Sequence, residues 1–150
     1  MIDKKELRYG NLVILAHESN APVGTIKEIH TSYVILQEYE LGNPVYSLIM
    51  PIELTPEWLE RLGFKKGYCD EMEGYMRTFG GRVTFFLVKQ PYTNGTFGFL
   101  SFIETNVGMG VNSICLNPPE YVHQLMNLVY DFTGEELESF GKPAGAAKET

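Results

Sequence analysis

The stretch Asn117-Pro-Pro-Glu-Tyr-Val-His-Gln-Leu-Met-Asn-Leu-Val-Tyr-Asp-Phe-Thr-Gly134-Glu-Glu-Leu137 carries a helix start, an apolar stripe and a helix stop. Pro119 suits the first helical position, where a missing N–H costs nothing. Pro118 stands before a proline and is held extended, so the helix is predicted to begin no earlier. Glu120 favours the dipole of the first turn. Tyr121, Val122, Leu125, Met126, Leu128, Val129 and Phe132 share one face about 160° wide, the width of a core-facing helix. Gly134 is placed to take the left-handed conformation that closes it. The spacing predicts a helix over 119–133, roughly 22 Å long.

Working outward, residues 55–62 read as a second, short helix. Thr55 is an N-cap, Pro56 fits the first position and Glu57 the first turn. Leu54 and Leu59 suit a hydrophobic staple, Glu57 and Arg61 an i,i+4 pair, and Gly63 with Phe64 a Schellman closure. Before this helix, Asn11–Ala16, Val23–Ile29, Tyr33–Glu38 and Val45–Met50 read as short strands, with Leu41-Gly-Asn-Pro44 as a turn. Four or five short strands in so little chain predict a small antiparallel, SH3-like barrel. Residues 65–116 read as a β-meander. Its features are Arg82–Gln90, a turn at Pro91-Tyr-Thr-Asn-Gly95, Thr96–Thr105 with a bulge at Gly98, a turn at 106–110, and Val111–Leu116.

The expected fold is therefore α+β. A barrel-like subdomain spans 1–53. A second spans 54–138, comprising the bracket helix, the meander and the C-terminal helix covering one face of the meander. A loose tail follows over 139–150.

The strings Tyr121-Val-His-Gln-Leu-Met-Asn-Leu-Val-Tyr130 and Phe132-Thr-Gly-Glu-Glu-Leu137 resemble a C-terminal signature of small proteins encoded by prophages and mobile elements of gut bacteria. Leu7-Arg-Tyr-Gly-Asn-Leu-Val13 and Pro51-Ile-Glu-Leu-Thr-Pro-Glu-Trp-Leu-Glu-Arg-Leu-Gly-Phe64 are similar to the same family, in the same order. The resemblance implies a phage or mobile-element context. That family has no established function, so no catalytic or binding residue carries over.

Composition bounds the chemistry. A chain of 150 residues buries roughly 70% of its unfolded surface and needs no staples. Hydrophobic residues make up 44%, which sets it apart from disordered chains. A net charge of −7 argues against non-specific binding to nucleic acid or to an anionic membrane. Cys69 and Cys115 form neither a disulfide framework nor a zinc pattern, and two lone thiols fit a reducing cytoplasm, which the resemblance implies is that of a bacterial host. No apolar run approaches the ~18 residues of a membrane helix. The phosphate-loop, HExxH and GxSxG strings are absent, and Gly108-Met-Gly110 lacks the third glycine of a dinucleotide site. The sequence assigns no catalytic residue, no metal and no cofactor.

Four features remain. His123, Asn127 and Tyr130, at i, i+4 and i+7, form a polar row beside the helix stripe. They read either as a contact row for a partner or as an ordinary helix boundary. No nucleophile adjoins His123, which argues against catalysis. Asp70, Glu71 and Glu73 are either a weak cation loop or a solvated turn. Tyr75, Arg77 and Arg82 surround Phe79-Gly80-Gly81 in a chain with only four arginines. They read as a site for a nucleotide or other anion, or as a hairpin whose arginines balance the acidic cluster. Phe85, Phe86, Phe97, Phe99 and Phe102 read as core. Phe85 and Phe86 point to opposite faces of one strand, so one needs cover from elsewhere, such as a second subunit.

The functional expectation is a non-enzymatic phage or mobile-element accessory protein that binds another protein and forms a homo-oligomer. The alternative is a small-molecule binder, such as a sponge for a host-defence nucleotide signal, built on Tyr75, Arg77 and Arg82.

Overall fold

The computed structural model describes residues 2–15, 23–38, 48–69, 71–91, 97–107 and 110–138, by backbone alone at 69, 89–91, 97–107 and 110–116. Outside these lie the expected turn at 41–44, the first part of the strand at 45–50, Asp70, the Asn94-Gly95 hairpin and the tail. The side chains of Phe97, Phe99 and Phe102 lie outside them too.

Among the described residues, two antiparallel sheets and two α-helices give an α+β chain. After a 3-10 turn at Lys4–Glu6, β1 (Leu12–Leu15), β2 (Val23–Ile29), β3 (Val34–Leu36) and β4 (Ile49–Met50) form a sheet of order β3-β2-β1-β4. Then α1 (Pro56–Arg61) leads into β5 (Lys65–Cys69), β6 (Met72–Phe79), β7 (Val83–Pro91), β8 (Phe97–Val107) and β9 (Gly110–Leu116). These five lie side by side in chain order, and α2 (Val122–Thr133) ends the described elements. Compact units divide the chain into Met1–Glu53 with Tyr121–Phe132, and Leu54–Glu120 with Thr133–Gly141.

In the first unit, alternation along the strands buries Val13, Leu15, Ile26, Val34, Leu36 and Ile49, and Ile2 and Leu7 join them. The β2–β3 register shifts between Ile26 and Glu28, which explains why β2 alternates only in part. Barrel closure was expected; among the described residues the sheet stays open, with no pairing between β3 and β4.

In the second unit, α1 follows its local signals. Thr55 accepts from the Trp58 N–H at 3.3 Å. Gly63 takes φ +81°, and the Phe64 N–H reaches the Leu59 carbonyl at 2.9 Å, the Schellman bond. Buried Leu59 and Phe64 supply its hydrophobic contact. The meander holds regular register from β6 to β9. The pairing of Gln90 with Gly98 shows no shift, so the bulge expected there is not present. Strands β5 and β6, not resolved as separate strands from sequence, pair from Lys65 with Met76 to Cys69 with Met72, and Glu71 just before β6 takes φ +69°.

The C-terminal helix differs from expectation twice. It begins at Val122, not Pro119, because the residues before it are held extended: Glu53 bridges Tyr121, the Leu54 N–H donates to the Glu120 carbonyl at 2.9 Å, and the Val122 N–H to the Ile52 carbonyl at 2.8 Å. Tyr121 becomes the cap, and the Gln124 side chain reaches back to its N–H at 3.3 Å, half of a capping box. The sequence reading also sets this helix over the meander and within 54–138. The structure instead groups Tyr121–Phe132 with the N-terminal sheet. The physical reason is a set of polar bonds to residues 6–11. Gly134, at φ +71°, closes the helix as its position implies.

Candidate functional site

A turn precedes β1. The Asn11 N–H donates to the Arg8 carbonyl at 3.2 Å, and Gly10 has φ +83°, as the third position of a type II turn requires. The turn is tied to β2: the Gly10 N–H donates to the Ile26 carbonyl (2.8 Å), and the Ile26 N–H to the Asn11 carbonyl (2.9 Å). Asn11 is fully buried. Its Oδ1 accepts from the Arg8 N–H at 2.8 Å, and its Nδ2 donates to Asn127 Oδ1 at 2.9 Å. Asn127 Oδ1 also receives Arg8 Nη1 at 3.3 Å, and Asn127 Nδ2 donates to the Glu6 carbonyl. The Arg8 guanidinium lies 3.6 Å from the centre of the Tyr130 ring.

The row His123, Asn127 and Tyr130 meets residues 6–11 of its own chain, so the bonds made by His123 and Asn127 are internal ones and not contacts with a partner. His123 is 1% exposed, with Nε2 facing Glu6 Oε2 at 3.3 Å. If Nε2 carries the proton to Glu6, Nδ1 holds a lone pair, and Nδ1 has no hydrogen-bond partner among the described residues. Tyr130 keeps 39% of its surface, and Tyr9, at the tip of the turn, keeps 63%. The cluster therefore displays Tyr9, and Tyr130 beside Arg8, on a backbone tied by part-buried hydrogen bonds. Sequence reasoning missed Asn11, Tyr9 and Arg8; the only local signal was Tyr9-Gly10-Asn11, a turn composition.

Burial lowers the pKa of His123 below its ordinary value, and Glu6 opposes that shift without cancelling it. The folded form holds the ring neutral where the unfolded chain already binds a proton. Stability should therefore be unaffected above the unfolded pKa of about 6.5 and should fall as pH drops below it, until the folded pKa is passed. Urea unfolding of wild type and His123→Leu between pH 7.5 and 5 tests this. The wild type should lose more stability over that range, and parallel curves would refute it.

The second candidate set is arranged differently. Tyr75 and Arg77 share one side of β6 with Phe79, at positions paired with Leu87, Phe85 and Val83 on β7. Tyr75 is buried, as are Phe79, Phe85 and Leu87, and the Phe79 and Phe85 rings meet edge to face at 5.6 Å. Arg77 Nη1 donates to the Leu62 carbonyl at 2.6 Å, and its guanidinium lies 4.7 Å from the Phe79 ring centre. Leu62 is the C-cap of α1, so Arg77 sets a cation at that helix's negative end. Arg82 lies beyond, exposed, in the Gly80-Gly81-Arg82 turn, where both glycines have positive φ. Strand geometry thus puts Tyr75 and Arg77 on one face, with Arg82 outside it. Of the acidic cluster, Glu71 and Glu73 are exposed.

No helix among the described residues is long and apolar enough to cross a membrane. Comparison with protein-family models, with curated proteins and with solved structures finds no match.

Proposed function

We propose that this chain is a binding protein, a non-enzymatic accessory factor of a phage or mobile element that engages another protein in the cytoplasm of its bacterial host. The observation that carries this reading is Tyr9 exposed on a hydrogen-bonded turn, in the same cluster as Tyr130, whose ring lies under the Arg8 guanidinium. Tyrosine and arginine dominate the energetics of protein interfaces. A side chain held on a pre-ordered turn loses little freedom on binding. The strand order β3-β2-β1-β4, a meander whose last strand returns to the first, supports reading the N-terminal sheet as SH3-like. The small-molecule reading has less support, since Tyr75 is buried and Arg77 is bonded to Leu62.

The test is affinity capture from host lysate with the full chain and with Tyr9→Ala. Tyr9 is exposed, so its truncation should leave the melting temperature unchanged. It should weaken capture by about tenfold, the effect of a modest interface anchor. Capture indifferent to Tyr9 would sink the placement, and no capture under any growth condition would sink the reading.

A further inference from the structure

The buried face of α2 meets the N-terminal segment through a titratable ring. His123 Nε2 faces Glu6 Oε2 at 3.3 Å, and Nδ1 has no hydrogen-bond partner among the described residues. Glu6, on the 3-10 turn Lys4–Glu6, is the charged group that faces the ring. The Tyr121 ring stacks on it from the segment before α2, with centres 5.9 Å apart, and Arg8 meets α2 one turn further on, at Asn127. A neutral imidazole with its proton on Nε2 needs one acceptor, and Glu6 supplies it. A charged imidazole has two N–H groups. The second would stand buried on Nδ1 with no acceptor beside it, a costly state for a charged donor. Burial holds the His123 pKa below its ordinary value, although Glu6 pulls it up.

The piece of chain that faces the ring is lightly held. Residues Asp3 to Glu6 are exposed and belong to no sheet. Their own bonds are local: the Lys5 N–H donates to Asp3 Oδ1 at 3.0 Å, the Glu6 N–H to the Asp3 carbonyl at 2.9 Å and the Leu7 N–H to the Lys4 carbonyl at 3.2 Å. Glu6 ties them to α2, by its carboxylate to His123 and by its carbonyl to Asn127 Nδ2. Ile2 and Leu7, buried in the first core, hold the two ends. Beyond Leu7, the Gly10 and Ile26 backbone bonds fix the next turn to β2. A swing of Asp3 to Glu6 therefore leaves the sheet intact and gives the ring room to turn its nitrogens to water. Such a local opening needs far less free energy than unfolding.

We propose that His123 is an acid-sensitive latch: a proton taken onto its ring releases Asp3 to Glu6 from α2 while each compact unit stays folded. The latch lies in the same cluster as Tyr9 but stands apart from the binding reading, because its test needs no partner.

The test is amide hydrogen exchange of the full chain, followed by NMR at pH 7.5 and 5.5 and divided by the intrinsic rate at each pH. Opening at Glu6 and Leu7 should rise several-fold on acidification. The ceiling over that range is about tenfold, set by an ordinary histidine pKa of about 6.5 in the open state. The amides of Tyr75 and Met76, on β6 between β5 and β7, should not change. This comparison lies within the wild-type chain and needs no variant to fold. His123→Leu should abolish the rise. Glu6→Gln removes the charge that favours the protonated ring in place, so it should bring the rise nearer to the ceiling; a merely structural role for Glu6 would leave the pH response unmoved. No rise in the wild type overturns the inference, as does an equal rise in His123→Leu. A rise at Tyr75 and Met76 in step with Glu6 also overturns it, since acid would then be loosening the whole chain. A failed capture through Tyr9 would leave these rates as they are.

Discussion

Replacing Gly74 by alanine should cost about 3 kcal/mol and lower the melting temperature by roughly 10 °C. Gly74 sits in β6, opposite Gly67 on β5 and Val88 on β7. A Cβ built there would lie 2.5 Å from the Leu87 carbonyl oxygen and 3.0 Å from the Val88 Cα. Both are backbone atoms of a strand hydrogen-bonded on each side, so neither can swing away. Relief would require β6 and β7 to separate and give up ladder bonds. Gly67 is the control. A Cβ there would meet the Met76 sulfur at 2.8 Å, the end of a flexible side chain. Gly67→Ala should therefore cost about 1 kcal/mol or less. Thermal melts followed by circular dichroism decide the matter. Equal losses in the two variants would mean that backbone crowding at Gly74 is not what selects glycine.

The second large effect is expected at Asn11 and Asn127. Asn11→Leu leaves the Arg8 N–H without its side-chain acceptor, and Asn127 Oδ1 loses its shorter bond. Asn127→Leu strands Asn11 Nδ2 in a fully buried place and removes a donor to the Glu6 carbonyl. Unpaired buried polar groups cost far more than a hydrogen bond yields, so each single change should destabilise by about 2–3 kcal/mol. The double change removes both ends of the Asn11–Asn127 bond together. It should cost less than the sum of the two by about 1 kcal/mol or more. Urea titrations of the four proteins form the cycle, and strict additivity would show that the two amides do not act as a pair.

The features legible in the sequence were those whose causes are local. Thr55, Pro56 and Gly63 specify α1 within a single turn of chain, and α1 formed where they stand. β2 ran from Val23 to Ile29 as its composition implied. The helix stripe of 121–132 announced an apolar face but not what would cover it, because periodicity records burial and not the identity of the neighbour. The start of α2 moved from Pro119 because backbone pairing with Ile52–Leu54 outweighs the local preference for a proline start. The row His123, Asn127 and Tyr130 was visible as a row. The residues it meets lie 116 to 122 positions away, and no local pattern points to them. Arg77 had the composition of an anion ligand, and the carbonyl it binds belongs to a helix end fifteen positions earlier.

The interleaving of the two units has a consequence for the order in which the protein can be completed. The ribosome releases the N-terminal sheet first, but α2 emerges only after the whole of Leu54–Glu120 has been made. At ordinary translation rates that delay is roughly 3–13 s. Through it, the N-terminal sheet has no helix and Asn11 no Asn127. The meander, by contrast, pairs each strand with its neighbour in sequence and can close as it emerges. The N-terminal sheet, made before the meander, is therefore finished after it, and the turn that displays Tyr9 becomes fixed only once α2 has been made.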